Sequence, residues 1–337
     1  MEVESIIKTY GNKDLPDAMP ERPLVTFAVF AYNQEKYIQE AIEGAFSQTY
    51  SPLEIILSDD CSSDRTYEIM EEMANAYNGP HMVKVRRQHV NSGTLAHLLS
   101  VSRQVQGDFL IFAAGDDISF PERTSFSISE FLKAPDSTVV LSADDIIFSN
   151  EGKVINSEED IRNRRRWFCE RKAWYHGATA CYRTSILKHL PNPTNRILFE
   201  DMALMDIFSG LGYTSRRIEC PLIVRRMHEK NVGPLRYQLT VDEWTKEEGR
   251  LMQLREVCLA MTYAAMVIAS LGGNSRELRE KSDFLAYYSK WPEMNILHRA
   301  SLVMKSIQHG YGKSAFLRLF GKRGFLFAKK IVSSLGI

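Results

Sequence analysis

Apolar positions fall first into short continuous runs and then into wider periodic spacing. The run LVTFAVFA at residues 24–31 is β-branched and aromatic and predicts a central strand. Residues 35–47 follow, with apolar groups at Tyr37, Ile38, Ala41, Ile42, Ala45 and Phe46, the spacing of one helical face. The alternation then repeats. A strand is expected over 53–58, a helix over 65–77 capped by Ser63 or Asp64, and a strand over 82–87. A helix from the Asn91-Ser92-Gly93 turn to about Gln106 leads into an apolar run over 109–114, a buried strand. Short loops between alternating strands and helices imply right-handed crossovers, hence an α/β fold with a mostly parallel sheet flanked by helices. Ligands of such sheets bind beyond the C-terminal strand ends. Asn33, Asp60, Asn91 and the pair Asp116-Asp117 all fall at those ends.

Beyond Pro121 the pattern predicts a helix over 122–133 and a strand over 138–148, with a return hairpin at 153–156. A basic, aromatic segment spans 162–171, and a run of small residues at 177–180 permits close approach to the backbone. A short helix at 185–190 precedes one over 199–211, which Glu200 and Asp201 open where the helix dipole favours acids. Edge strands are expected over 213–217 and 221–226. A boundary near Gly233-Pro234 divides the chain into a leader at 1–22, a domain over 23–232 and a helical region over 233–337, with helices at 241–271, 275–289, 295–309 and 313–332.

Composition excludes several classes. Lys+Arg and Asp+Glu number 42 each, so no net charge points to nucleic acid. The charge is unevenly spread, however. No acid follows Glu293, whereas Arg299, Lys305, Lys313, Arg318, Lys322, Arg323, Lys329 and Lys330 do. Five scattered cysteines without a CxxC fit free thiols in a reducing, cytoplasmic compartment. The N-terminus lacks a basic start followed by an apolar run, so no signal peptide is expected. The nearest approach to a membrane span, 257–273, is short and contains Thr262, Tyr263 and Ser270, which predicts a buried helix.

The candidate chemistry centres on Asp116 and Asp117. Two adjacent carboxylates at the mouth of a buried strand repel and lose solvation, and a cation removes both penalties. Hard oxygen ligands suit Mg²⁺ or Mn²⁺ shared with phosphates. No GxGxxG follows the first strand and no GxxxxGK[ST] occurs, which argues against a dinucleotide dehydrogenase and excludes a P-loop.

The stretch PLVTFAVFAYNQEKYIQEAIEGAFSQTYSPLEIILSDDCSSDRT resembles the start of a family 2 glycosyltransferase of the GT-A fold. GDFLIFAAGDD resembles that family's metal-binding segment, Phe199-Glu200-Asp201 its Glu-Asp motif, and Arg226 to Asn231 its closing Arg-x-His-x-x-Asn. The resemblance covers about residues 23–232. It implies that Tyr32, Asn33, Asp60 and Asn91 border the donor nucleotide, with Asp60 accepting from a pyrimidine N–H. It further implies that Asp116 faces the ribose or the metal's waters, that Asp117 ligates Mn²⁺ or Mg²⁺, and that His228 contacts metal or diphosphate. Asp201 is the implied general base, with Glu200 its rival. Arg225 or Arg226 adds phosphate charge or lies on a solvated strand edge. Trp174 and His176 border the acceptor or serve in packing.

The expected activity is metal-dependent, inverting transfer of one sugar from a nucleotide-sugar, with UDP the expected nucleotide. A glycan or lipid-linked acceptor of surface polysaccharide synthesis would receive it. The Gln-x-x-Arg-Trp motif of processive members does not follow Asp201. The basic tail, with Phe316, Phe320, Phe325 and Phe327 among its cations, suits either an anionic membrane face or packing in a homo-oligomer. The alternatives are a sugar-phosphate nucleotidyltransferase and a non-catalytic sugar-nucleotide or glycan-binding module.

Overall fold

The computed structural model describes residues 22–149, 175–228 and 243–308. The leader before residue 22, the hairpin at 153–156, the segment at 162–171, Trp174, the end of the Arg-x-His-x-x-Asn motif, the Gly233-Pro234 boundary and the helix at 313–332 lie outside these residues. The chain divides into two compact units, Met1–Asn231 and Val232–Ile337.

In the first unit, β1 (Val25–Ala31), β2 (Leu53–Asp59), β3 (Met82–Arg87) and β4 (Phe109–Ala114) lie parallel in the order β3-β2-β1-β4. The connecting helices are α1 (Ile38–Phe46), α2 (Thr66–Ala76) and α3 (Thr94–Ser102). Every residue of β1 and β2 is buried, which is why these strands read as unbroken apolar runs. Val25, Phe27, Val29 and Ala31 share a core with Ile38, Ala41, Ile42 and Ala45 of α1. On the opposite side Phe30 stacks on Phe112 at 4.4 Å and meets the edge of His97 at 5.0 Å. Burial pushes His97 down to about 3, and its Nε2 lies 2.6 Å from Ser58 Oγ.

The sheet becomes mixed beyond β4. After β5 (Ile118–Ser119), α4 (Arg123–Leu132) and β6 (Thr138–Ser149), a 3₁₀ turn at Gly177–Thr179 leads into β7 (Ala180–Arg183). Then come α5 (Thr184–Lys188), α6 (Glu200–Gly210) and β8 (Thr214–Met227). The full order is β3-β2-β1-β4-β7-β6-β8-β5. β7 runs antiparallel between β4 and β6, β8 pairs parallel with β6, and β5 pairs antiparallel with β8. The two edge strands expected at 213–217 and 221–226 are thus one 14-residue interior strand. Pro221, the expected start of the second strand, stands at a register shift against Ala143 and Asp144, where a proline is tolerated within a strand.

Gln48 joins α1 to the segment that follows β4. Its Nε2 donates to Gly44 O at 2.9 Å and Phe120 O at 2.8 Å. Its Oε1 accepts from Thr124 N–H at 3.0 Å and Thr124 Oγ1 at 2.7 Å. Thr49 N–H adds a bond to Pro121 O at 3.0 Å, and Tyr50 OH donates to Pro23 O at 2.7 Å. The Gln-Thr-Tyr motif is therefore a fastening beneath the Asp116–Asp117 turn.

The second unit contains α7 (Glu243–Ser270), α8 (Arg276–Tyr288) and α9 (Ile296–Gln308). Leu251, Cys258 and Met261 of α7 share a core with Phe284, Leu285 and Tyr288 of α8, Trp291 and Leu302 of α9. Within α7, Glu248–Ser270 is long and apolar enough to cross a membrane, but half of that window is buried within the protein, as a core helix would be.

Replacing Gln48 by Leu strands the Thr124 N–H in a dry interior and leaves the Phe120 carbonyl with the Arg123 N–H but without its Gln48 donor. We expect a loss of at least about 2 kcal/mol, read as a lower urea midpoint for the first unit.

Candidate functional site

The end of β4 is shaped by a glycine. A Cβ on Gly115 would stand 2.5 Å from Gln34 Oε1 and 2.8 Å from the Ala31 Cβ, so the chain turns here only without a side chain. Gly115 N–H donates to Phe30 O at 2.8 Å, holding the turn against β1. The next two carboxylates then diverge. Asp116 Oδ2 lies 2.9 Å from His228 Nε2 at the end of β8. Asp117 Oδ1 accepts the Arg226 N–H at 3.0 Å. His228 stacks on Tyr37 with ring centroids 4.6 Å apart, and the Arg226 guanidinium sits over the same Tyr37 ring while pairing with Glu40. Arg225 Nε donates to Asp145 Oδ2 at 2.6 Å. Burial, then the neighbouring Asp116, pushes the Asp117 carboxyl well above the ordinary range, against the pull of Arg225 and the Arg226 N–H.

Asp60 is tied to the turn after β3. Its Oδ1 accepts from Ser92 N–H at 3.0 Å and Ser92 Oγ at 2.9 Å, and its Oδ2 from Gly93 N–H at 3.0 Å. A carboxylate offers about four acceptor positions, so Oδ2 retains room for a ligand donor. Asn33 adopts φ 53° and accepts from Ser63 N–H at 2.8 Å, so its side chain holds the loop after β2. Tyr32 stands 43% exposed at the rim. Asn91 keeps a buried Oδ1 without a hydrogen-bond partner.

Glu200 and Asp201 open α6. Asp201 Oδ2 accepts Gly177 N–H at 3.3 Å and its Oδ1 accepts Met202 N–H at 2.8 Å. A Cβ on Gly177 would fall 2.1 Å from Glu200 Oε1, so the close approach implied by the small-residue run is that of Glu200. Burial pushes both carboxyls up, Glu200 furthest, with Asp201 as its second cause. The Gly177 and Met202 N–H groups hold Asp201 back.

The structure therefore joins Asp116 to His228, and Asp60 to the turn beside Asn91. It turns Asp117 toward the backbone of β8, and it pairs Arg225 and Arg226 with carboxylates of the protein. Asp64 accepts the Thr66 N–H at the start of α2 at 3.0 Å, but the N-cap position itself is Arg65. Sequence reasoning missed Tyr37, whose apolar helical spacing marked it as core, and Arg123, an unremarkable charge at a helix start.

Asp116 and His228 offer one oxygen and one nitrogen donor within 2.9 Å of each other, a mixture that fits Mn²⁺ better than Mg²⁺. Among the described residues no group of three or more His, Cys, Asp or Glu is arranged to hold a metal. The pair fits an ion completed by oxygens from a ligand, as a diphosphate would supply.

A family model described as Glycosyl transferase family 2 matches residues 26–190. An uncharacterized protein of Mycobacterium bovis is 32% identical over 125 residues, 36% of this chain and 36% of that protein. The poly(ribitol-phosphate) beta-N-acetylglucosaminyltransferase TarS of Staphylococcus aureus is 35% identical over 89 residues, 26% of this chain and 15% of TarS. The match thus spans little more than a third of the first relative and less of the second. Among solved structures, the mannosyltransferase PcManGT of Pyrobaculum calidifontis, in complex with GDP-Man and Mn²⁺, has a TM-score of 0.56 at 15% identity, covering 95% of this chain and 90% of that one. TarS 1-349 with UDP-GlcNAc has a TM-score of 0.52 at 17% identity, covering 86% and 87%. At these identities the structures speak for the fold, and the sequence match speaks for the family. Residues 26–190 of this chain are a family 2 glycosyltransferase domain, built on the α/β GT-A fold.

Proposed function

We propose that the protein transfers one sugar from a nucleotide-sugar to a hydroxyl of a glycan or lipid-linked acceptor, with inversion at the anomeric carbon. The observation that carries this reading is the placement of two acid groups about β4. Asp116 stands at its end beside His228. Asp201 is held by the Gly177–Thr179 turn, which Arg123 ties to Phe112 of the same strand. That arrangement supports reading the first as the diphosphate end and the second as the base.

Tyr32, Asn33, Asp60 and Asn91 border the nucleoside, Asp60 through the acceptor position left on Oδ2. Asp116 and His228 would hold a divalent cation, Mn²⁺ or Mg²⁺, and Asp117 supports that end from the side of β8. Such an ion neutralises the charge of the departing nucleoside diphosphate. Asp201 takes the proton of the acceptor hydroxyl as its oxygen attacks the anomeric carbon, and the bond to the diphosphate breaks. A carboxyl raised by burial is better matched to this work near neutrality than an exposed one. Glu200, buried deeper and pushed higher, stays protonated longer and serves to hold the turn. UDP and GDP are both open as the nucleotide, since the two structural relatives carry one each.

The chain also carries features of a protein that works at a membrane face. Leu297 is 77% and Met304 67% exposed on α9, with Lys305 beside them, and only basic charges follow Glu293. Basic amphipathic segments bind anionic lipid through both terms. Free thiols at Cys61, Cys181 and Cys258 accord with the cytoplasmic side.

Thermal unfolding against UDP- and GDP-sugars, with Mn²⁺ and with EDTA, tests the donor site. We expect metal-dependent stabilisation by one of them, about 2.7 kcal/mol at a hundred times its Kd, lost in Asp116→Ala and in His228→Ala. Stabilisation by a nucleoside triphosphate alone would favour nucleotidyl transfer. Asp201→Asn should keep that stabilisation and lower kcat by about 10²–10⁴, while Glu200→Gln keeps kcat within about tenfold. Undiminished function in Asp201→Asn would mark a binding module.

Stability supplies a separate check on Glu200. Its native carboxyl titrates above 4.5, so ionising it costs the folded state, and stability falls as pH rises from about 4.5 through the native value. Glu200→Gln should therefore unfold at a higher urea midpoint than wild type at pH 8, with no gain at pH 4. Sedimentation with phosphatidylglycerol vesicles, but not with phosphatidylcholine vesicles, tests the membrane face. Binding should weaken in 0.5 M NaCl, as screening requires, and in Leu297→Asp.

A further inference from the structure

Arg123 is 1% exposed at the start of α4, and its hydrogen bonds go to neutral acceptors. Nη1 donates to Ser119 Oγ at 2.9 Å, and Nη2 donates to Phe112 O at 2.6 Å and to Ala178 O at 3.1 Å. The guanidinium also lies over the Phe27 ring, 5.6 Å from its centroid. A cation buried on such partners is costly, and burial pulls it down to about 10. An apolar side chain of the same length would fill the space at less cost. Its planar fork is what an apolar residue, or a lysine, lacks.

The acceptors tell what the fork holds together. Phe112 belongs to β4, the strand that ends at Asp116. Ser119 belongs to β5, directly after Asp117. Ala178 lies in the turn whose first N–H, that of Gly177, donates to Asp201 Oδ2 at 3.3 Å. A single nitrogen between the Phe112 and Ala178 carbonyls fixes their separation. We propose that Arg123 is a positioning residue, whose guanidinium sets the spacing between the Asp116 end of β4 and the turn that holds Asp201. This inference rests on the reading of Asp201 as the base.

The consequence is directional. Asp201 is surrounded by Glu200, the hydroxyls of Tyr175 and Tyr182, and the N–H groups of Gly177 and Met202. Of these, the two N–H groups stabilise its charged form. Releasing the turn withdraws the Gly177 donor and leaves the Met202 N–H and Asp201's own N–H as the backbone groups set against burial, so Asp201 becomes a weaker acid.

The test is a carboxyl titration of the full chain carrying ¹³C-labelled Asp, with the Asp201 resonance assigned by its loss in Asp201→Asn. In Arg123→Lys the Asp201 midpoint should rise by about half a pH unit or more. At the same time kcat should fall by about tenfold or more through misplacement, with the nucleotide Kd within about threefold. Ser119→Ala frees one arm of the fork in a milder way and should show a smaller rise, which serves if Arg123→Lys does not fold. A folded variant with an unmoved midpoint, or activity lost only in proportion to folded protein, would overturn the proposal. The titration needs no turnover. A wild-type protein that transfers no sugar would therefore sink the glycosyl-transfer reading and leave this comparison standing.

Discussion

Asp117, Glu200 and Asp201 are carboxylates withdrawn from water, and each is pushed toward its protonated form by that burial. Backbone N–H groups restrain all three, with Arg225 adding to the restraint on Asp117. The Arg226 N–H faces Asp117, and the Gly177 and Met202 N–H groups face Asp201. A peptide donor comes without a mobile side chain, but it works only if its strand or turn is held in place. The rest of the first unit answers that need. β8 lies inside the sheet between β6 and β5, and the Gly177–Thr179 turn is clamped by Arg123 against β4.

Glu54 shows the opposite use of the same residue type. Burial raises its carboxyl, but Lys84, the Gln106 N–H and Thr26 Oγ1 outweigh burial and hold it below the ordinary range. That carboxylate joins β1, β2 and β3 and stabilises the fold near neutrality. Asp117, Glu200 and Asp201 do the reverse, since burial makes their charged forms unfavourable.

Much of the fold was legible along the chain. The period switched between strand runs and helical spacing often enough to imply the parallel half of the sheet, and turn residues marked its joints. The later half was less legible because local signals there conflict with the tertiary answer. Pro221 reads as the start of a second strand and proved to sit at a bulge within β8. β5 has two residues, too few for any periodicity. β7 follows a run of small residues whose partner, Glu200, lies far along the chain.

The sequence by itself determined the α/β alternation, the strand ends where a site would stand, and the candidacy of Asp116, Asp201 and His228. The alternation and the strand ends follow from local period and the candidacy of Asp116 from residue chemistry, whereas Asp201 and His228 stood out through resemblance to family 2 motifs. Only the tertiary structure decided that Asp116 meets His228 while Asp117 turns to the backbone of β8. The two residues lie in a turn closed by the Asp117 N–H on Ala114 O at 3.2 Å, and a pattern of letters does not say which way each side chain of that turn faces. The roles of Tyr37, Gln48 and Arg123 were likewise decided by folding. Each acts through partners remote in sequence, and a single buried ring, amide or guanidinium has no periodicity to announce it.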